Sequence, residues 1–592
     1  MEVTKKIELL RESMKKEGVK AYIIPSSDPH QSEYLPQAYQ IREWFSGFTG
    51  SAGTLIITMK ENGLWTDGRY FVQAEAQLKG TGIDLFKMGN PGVPSMGEWL
   101  ADTLEEGDSI GLDGKLYSQS SFEVLLGEVQ RKNLNIKANL DLYTDIWEGR
   151  PSLPKTPIIN HDLKYAGKST SEKIEIVRAQ MKKRGCDNYV VSTLDDIAWL
   201  FNIRGNDIDN NPVAMAYAAI SMNSAILFMN TEKISDEIKN IIESQGVEIR
   251  EYDEFGTYME TLSGVNKTYV DPARNSHWIV STLQERSSLQ KGLDITVGLK
   301  TCKNETEIEN MRRTHIRDGV AMVKFLHWFD NALGNEEITE ISAADKLEDF
   351  RSQGENFMGL SFDTIAGYKD HGAIVHYKAE EATQHTLKKE GLFLLDSGGQ
   401  YLDGTTDITR TLALGNPTDE EKEDYTLVLK GHIGLNLAKF RYGLTGPQLD
   451  ILARKPLWER GMDYNHGTGH GIGFYLGVHE GPQRIAKDIN PVVMEEGMVT
   501  SNEPGLYKEG KHGIRLENII LTRVENENEF GKFMGFEVLT LCPFDKKAIV
   551  KELMTEEELA WLNGYHKTVY EKLNSHLDEN QREWLAQATE EI

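Results

Sequence analysis

The sequence predicts a multidomain α/β fold. Three observations carry that reading: a helix–glycine–strand unit that occurs twice, a third region where helical periodicity gives way to short apolar strands, and a composition that is globular throughout. The 592 residues are 39% hydrophobic and 27% charged. That usage excludes a disordered or fibrous chain, and at about 150 residues per domain it makes three or four domains.

The first element, Met1–Lys20, places Ile7, Leu10 and Met14 on one helical face and has no apolar core of the kind a signal peptide needs. It opens a repeat. Arg11-Glu-Ser-Met14-Lys15-Lys16-Glu-Gly18-Val-Lys-Ala-Tyr22 returns 167 positions on as Arg178-Ala-Gln-Met181-Lys182-Lys183-Arg-Gly185-Cys-Asp-Asn-Tyr189. In each copy a helix ends on lysines and a glycine suited to the C-cap, and an apolar strand follows. Trp44-Phe45-Ser-Gly47 follows the first copy and Trp199-Leu-Phe201 to Gly205 the second. We read two related α/β domains, 1–150 and 151–300, with Pro151, Pro154 and Pro157 as the linker.

The longest uncharged run, Asn210–Asn230, is interrupted by Pro212, Asn223 and Ser224. It reads as two strands, Ala214–Ile220 and Ala225–Met229, and not as a membrane span. A third domain, 301–592, opens with a helix over Glu305–Phe329, its apolar positions being Ile308, Met311, Val320, Met322 and Phe325. Strands are expected at Gly391–Ser397, Asp407–Leu414, Met498–Asn502 and Gly513–Thr522. After Pro543 a helix is expected behind the capping box Thr555-x-x-Glu558. Its stripe of Leu559, Leu562, Val569 and Leu573 should pack on its own domain.

Ninety-two acids against 65 bases leave a net charge of -27, which argues against nucleic acid as a partner, since phosphate contacts need clustered Lys and Arg. The three cysteines, Cys186, Cys302 and Cys542, lie far apart. They form no disulfide framework, fit a reducing cytoplasm, and read as small buried hydrophobes.

Polar residues in the third domain sit where a fold alone has no use for them. Asp396 ends an apolar strand and Asp407 opens the next, so two carboxylates are expected to face each other across a hairpin, an arrangement that calls for a cation. His466-Gly-Thr-Gly-His470-Gly-Ile-Gly has too many glycines for a helix and reads as an extended segment offering both imidazoles to a ligand. Glu503 stands before Pro504-Gly505, and Glu517 shares a strand face with Arg515. Asp396, Asp407, His470, Glu503 and Glu517 together make four carboxylates and one imidazole. That hard, oxygen-rich set suits two divalent ions, Mn²⁺ foremost, with Zn²⁺ and Co²⁺ also accepted by such ligands.

This constellation resembles the dinuclear metallopeptidases of pita-bread fold. The wording around it, Ala373-Ile-Val-His376-Tyr377, Asp403-Gly-Thr-Thr-Asp407, Val478-His479-Glu480-Gly481-Pro482 and Glu503-Pro504-Gly505, is similar to the aminopeptidase P family. Arg42–Gly53, Trp65–Phe71, Ile197–Gly205 and Phe536–Leu541 extend the likeness almost end to end. The resemblance implies two creatinase-like domains before a pita-bread catalytic domain. It implies a cytoplasmic homodimer that removes the N-terminal residue from peptides with proline second. On the same basis Asp396 would bind one ion, His470 with Glu503 the other, and Asp407 with Glu517 would bridge them. Glu503 would also be the general base acting through a bridging hydroxide. His466 would be a proton shuttle or a hydrogen-bond partner of the scissile amide. His376 and His479 would contact substrate, Tyr507 and Arg515 would line the proline side, and Arg42 would reach an active site from the first domain.

Two other readings compete. A prolidase, restricted to Xaa-Pro dipeptides, is disfavoured by the duplicated N-terminal half, since such enzymes usually carry one N-terminal domain. A peptide-binding module of the same fold without metals is disfavoured because no carboxylate of the set is missing.

Overall fold

The computed structural model describes residues 1–262 and 267–592, and these form two compact units: 1–161 with 168–297, and 162–167 with 298–592.

The first unit holds the repeat as two six-stranded sheets of identical topology. In the first, β1 (Ala21–Pro25), β2 (Thr54–Thr58), β3 (Asn62–Thr66), β4 (Asp84–Lys87), β5 (Ser109–Leu112) and β6 (Asn135–Lys137) take the order β4-β3-β2-β1-β5-β6. In the second, β7 (Asn188–Val191), β8 (Ala216–Ser221), β9 (Ala225–Met229), β10 (Glu248–Arg250), β11 (Lys267–Val270) and β12 (Ser288–Lys291) take the order β10-β9-β8-β7-β11-β12. Each sheet has an antiparallel centre and parallel flanks. The helices that enter them, Val3–Glu17 and Thr170–Arg184, end alike. Gly18 and Gly185 adopt φ of 64° and 65°. Val19 N donates to Met14 O at 2.9 Å, and Cys186 N to Met181 O at 3.0 Å. Both closures are Schellman motifs, which need a left-handed residue and therefore select glycine. Ile7, Leu10 and Met14 are buried as the periodicity requires.

In the second unit, Glu305–Ala332 is a 28-residue helix capped by Asn304 and Glu307. An antiparallel sheet joins Ile365–Tyr368, Leu392–Ser397 and Ile408–Ala413. A second sheet runs Phe440–Arg441, Gly531–Val538, Asn518–Asn528, Val499–Asn502, Gly469–Gly471, Glu480–Ile485. The hairpin of Gly505–Lys508 and His512–Arg515 stands apart from both. Helix Glu556–Leu573 begins at the expected capping box and buries Leu562, Val569 and Leu573 in the core of its own unit.

Two details differ from expectation. Gly513–Thr522 is not one strand. The chain pairs with Gly505–Lys508 as far as Arg515 and resumes against Val499–Asn502 at Asn518. Between them Leu516 N bonds to Pro504 O and Glu517 N to Thr409 O, so Glu517 sits at a change of sheet and not on a regular face. Nor do Asp396 and Asp407 face each other across the ladder. Asp396 registers with Thr409 and Ser397 with Ile408, which leaves Asp407 just beyond the paired residues. Among the described residues no helix is long and apolar enough to cross a membrane, and the three cysteines are free, with Cys186 and Cys542 buried.

Candidate metal centre

Five residues on or beside strands of the second unit converge on one largely buried cluster. Asp396 is the penultimate residue of Leu392–Ser397, Asp407 precedes the next strand, and His470 centres the short strand Gly469–Gly471. Glu503 follows Val499–Asn502, and Glu517 occupies the change of sheet. The glycines around His470 serve the sheet itself. A Cβ at Gly469 would stand 2.0 Å from Ser501 O, and one at Gly471 2.2 Å from Glu480 O, so only glycine lets these strands meet.

Ligand atoms of Asp407, His470 and Glu517 lie within 4.8 Å of one another. His470 Nε2 is 3.6 Å from Asp407 Oδ2 and 3.4 Å from Glu503 Oε1, while its Nδ1 is 2.9 Å from Gly471 O. The carbonyl can only accept, so Nδ1 carries the proton and Nε2 offers its lone pair to the carboxylate side. Burial pushes Asp407, Glu503 and Glu517 well above the usual carboxylate range, and their mutual charges and that of Asp396 add to the rise. Asp396 is held by Arg515, whose Nη2 and Nε donate to Oδ2 at 2.6 and 3.2 Å. Among the described residues its other oxygen, Oδ1, is buried with no hydrogen-bond partner. An orphaned carboxylate oxygen beside three crowded carboxylates and an oriented imidazole fits divalent cations of oxygen preference, whose charge removes both penalties.

Around the cluster, Arg515 Nη1 donates to Tyr507 OH at 2.7 Å, and Tyr507 OH lies 2.8 Å from His466 Nε2. His466 Nδ1 faces Gly467 O at 2.7 Å, so its Nε2 is the acceptor and the Tyr507 hydroxyl donates to it. Burial, and then the charge of Arg515, lowers His466 to about 3; the imidazole is neutral at physiological pH. The His479 ring stands edge-on to His470 with centroids 4.3 Å apart. His376 is close enough for its charge to act on His466, and the neighbouring carbonyl of Val375 accepts from Arg515 Nη2 at 3.4 Å.

Arg42 belongs to the first unit. Its Nε donates to Ser26 Oγ at 2.9 Å, its terminal nitrogens donate to the carbonyls of Phe48 and Gly50, and burial lowers it to about 10.

Sequence reading missed the supports of this cluster. Asp450 and Arg454, four apart on helix Gly446–Trp458, form a buried ion pair at 2.6 Å. From it Arg454 Nη2 donates to His466 O (2.7 Å), and Thr468 Oγ1 donates to Asp450 Oδ1 (2.6 Å). Thr468 O in turn accepts from Glu503 N at 2.7 Å. Buried Arg410 donates to Glu517 O at 2.6 Å. The i,i+4 spacing of Asp450 and Arg454 was visible, but such pairs usually lie on helix surfaces.

Comparison with known proteins agrees with the geometry. The Creatinase/Prolidase N-terminal domain matches twice, over 6–138 and 149–307. Metallopeptidase family M24 matches over 309–523, and its C-terminal region over 532–592. The chain is 41% identical to Aminopeptidase P2 of Arabidopsis thaliana over 96% of this chain and 85% of that one. It is 41% identical to Xaa-Pro aminopeptidase 1 of Dictyostelium discoideum over 96% and 93%. The X-prolyl aminopeptidase of Caenorhabditis elegans, described as a cytosolic enzyme with a di-nuclear active site, superposes with a TM-score of 0.96 at 36% identity and full coverage of both chains. With its creatinase-like N-terminal domains and a pita-bread domain bearing an oxygen-rich cluster, the chain belongs to the aminopeptidase P family of M24 metallopeptidases.

Proposed function

We propose that this chain hydrolyses the bond between an N-terminal residue and a penultimate proline, using two divalent ions held by Asp396, Asp407, His470, Glu503 and Glu517. The observation that carries the reading is the gathering of four carboxylates and one oriented imidazole in a buried cluster that is electrostatically unsatisfied without cations. In this reading, which follows the family resemblance, Asp396 would help hold one ion, His470 and Glu503 would help hold the other, and Asp407 and Glu517 would contribute to both. When bound, such a pair supplies an activated water and polarises the scissile carbonyl.

The chain's own residues do the rest. Glu503 would be the group that accepts a proton from that water; its backbone N–H is tied to Thr468 O and its Oε1 accepts from Ser501 Oγ at 3.2 Å. A bond to proline has no N–H of its own, so the departing nitrogen must receive a proton from the protein or solvent. Tyr507 carries a hydroxyl proton aimed at His466, and Arg515 fixes the hydroxyl from the other side. A His466 held neutral favours its role as hydrogen-bond partner over that of a stored acid. His376 and His479 contact the peptide and Tyr507 with Arg515 lines the proline side. Arg42 enters on family resemblance, its donors being engaged within its own unit.

The proposal extends to three domains (1–150, 151–300, 301–592), Mn²⁺ as the ion, a homodimer and a cytosolic location. Free cysteines suit the reducing compartment, and the C. elegans relative is described as cytosolic.

The test offers the Mn²⁺-loaded protein an equimolar mixture of an Xaa-Pro-Yaa tripeptide and an Xaa-Pro dipeptide, followed by mass spectrometry beside a chelator-treated control. Release of Xaa from the tripeptide, abolished by chelator, supports the proposal. Cleavage of the dipeptide alone makes the chain a prolidase. Metal bound with neither peptide cut makes the cluster a binding site.

A further inference from the structure

Outside that cluster the second unit assembles a separate set of donors. Ligand atoms of Asp370, His371 and His385 lie within 4.8 Å of one another. His371 Nδ1 is 3.0 and 3.1 Å from the two oxygens of Glu340, a side chain with no exposed surface. Glu340 is already an acceptor three times over, from Tyr368 N (2.8 Å), Tyr377 OH (2.9 Å) and His385 N (2.8 Å). It therefore faces His371 as an acceptor, Nδ1 carries the hydrogen, and Nε2 is left with the lone pair. A buried carboxylate that fixes a histidine tautomer in this way is the usual partner of a metal-ligating imidazole. The Gly471 carbonyl does the same for His470 in the catalytic cluster.

His385 Nε2 lies 3.1 Å from Asp370 Oδ1, and both side chains are substantially exposed, at 39% and 48%. Solvent thus reaches the set from one edge while Glu340 closes the other. The two imidazoles stack with centroids 3.8 Å apart at 6°. Ring nitrogens bind in the ring plane, so coordination by both requires His385 to rotate off the stack, which its exposed position allows. Two nitrogens and one oxygen are a softer set than the four carboxylates of the catalytic cluster, and suit Zn²⁺ better than Mn²⁺.

We propose that Asp370, His371 and His385 form a third divalent-cation site, of Zn²⁺ type, at the base of the loop that carries His376. The two histidines flank residues 372–384, so one ion between them would staple both ends of that loop. Tyr377, stacked on His371 at 4.4 Å, would be held with it.

The experiment dialyses the Mn²⁺-loaded full-length protein against Zn²⁺ and counts total Mn plus Zn per chain by elemental mass spectrometry. His385→Ala and Asp370→Asn are treated identically, and both alter exposed side chains that leave Glu340 and the core intact. The proposal expects each variant to bind one ion fewer than the wild type. It also expects added Zn²⁺ to raise the Tm of the Mn²⁺-loaded wild type and not that of the variants. Equal ion counts in wild type and both variants would overturn it, as would a Zn²⁺-induced Tm shift of the same size in all three. Both readouts compare proteins with the same catalytic cluster, so they stand whether or not the peptidase proposal holds.

Discussion

Replacing Arg454 by Met tests whether one buried ion pair positions both His466 and Glu503. The guanidinium is fully buried and makes four hydrogen bonds: to Asp450 Oδ2 (2.6 Å), Asp463 Oδ1 (2.8 Å), Tyr464 O (2.7 Å) and His466 O (2.7 Å). It also lies 3.9 Å from the centre of the Tyr464 ring. Methionine preserves much of the stem but strands Asp450, and removing one partner of a buried pair costs about 3–5 kcal/mol. Against a total stability of about 5–15 kcal/mol this leaves a folded but weakened protein. The functional effect has a separate origin. Without Arg454 the carbonyl of His466 loses its anchor, and a shift of about 1 Å in a catalytic group lowers the rate roughly 10²-fold. The double variant Asp450→Leu/Arg454→Met separates the two. Removing both charges should recover most of the stability, whereas kcat should stay down by about 10²-fold with KM changed far less. Thermal denaturation and steady-state hydrolysis of an Xaa-Pro-Yaa peptide measure the two quantities. A double variant that regains wild-type kcat together with its stability would refute the positioning role and leave the pair a structural one.

Other outcomes follow from the same geometry. His466→Ala should lower kcat far more than it weakens metal binding, measured by turnover beside metal titration; unchanged turnover would remove His466 from the reaction. Tyr507→Phe leaves Arg515 Nη1 and His466 Nε2 without their shared hydroxyl, and each orphaned buried group costs about 1–3 kcal/mol, so Tm should fall and kcat with it. In metal-free protein Asp407, Glu503 and Glu517 have folded-state values raised above their unfolded ones. The stability they contribute is therefore present below the ordinary carboxylate range and lost as pH rises through the raised values. The cluster's contribution should therefore fall from pH 5 to pH 8, and the Tm gain on adding Mn²⁺, which subtracts out the histidines titrating elsewhere in the fold, should grow over that interval, as paired melts at each pH would show.

Much of the fold was legible because its signals are local. A helix ending on a left-handed glycine leaves the same mark wherever it occurs, so Gly18 and Gly185 announced two copies of one domain before any strand order was known. Capping at Thr555 and Glu558 is legible for the same reason. The residues of the candidate cluster stood out in the sequence because carboxylates beside apolar strands conflict with burial unless something compensates them. The break in Gly513–Thr522 was not legible: Ile514, Arg515, Leu516 and Glu517 are all buried, and alternation carries information only where one face meets water.

The supports of the site were hidden by a different physical fact. Asp450 and Arg454 have the spacing of a pair on a solvated helix, where it would contribute a few tenths of a kcal/mol. What makes the pair consequential is that helix Gly446–Trp458 turns it inward onto the Tyr464–Thr468 segment, and long-range packing decides that. Glu340 poses the same problem. It stands at the first turn of a helix, where an acid is expected for its effect on the dipole. Only the fold shows it buried among Tyr368, His371, Tyr377 and His385. A residue that binds a ligand must carry the chemistry in its own side chain, and so can be read singly. A residue that positions another acts through a partner distant in sequence, and becomes readable only once the partner is in place.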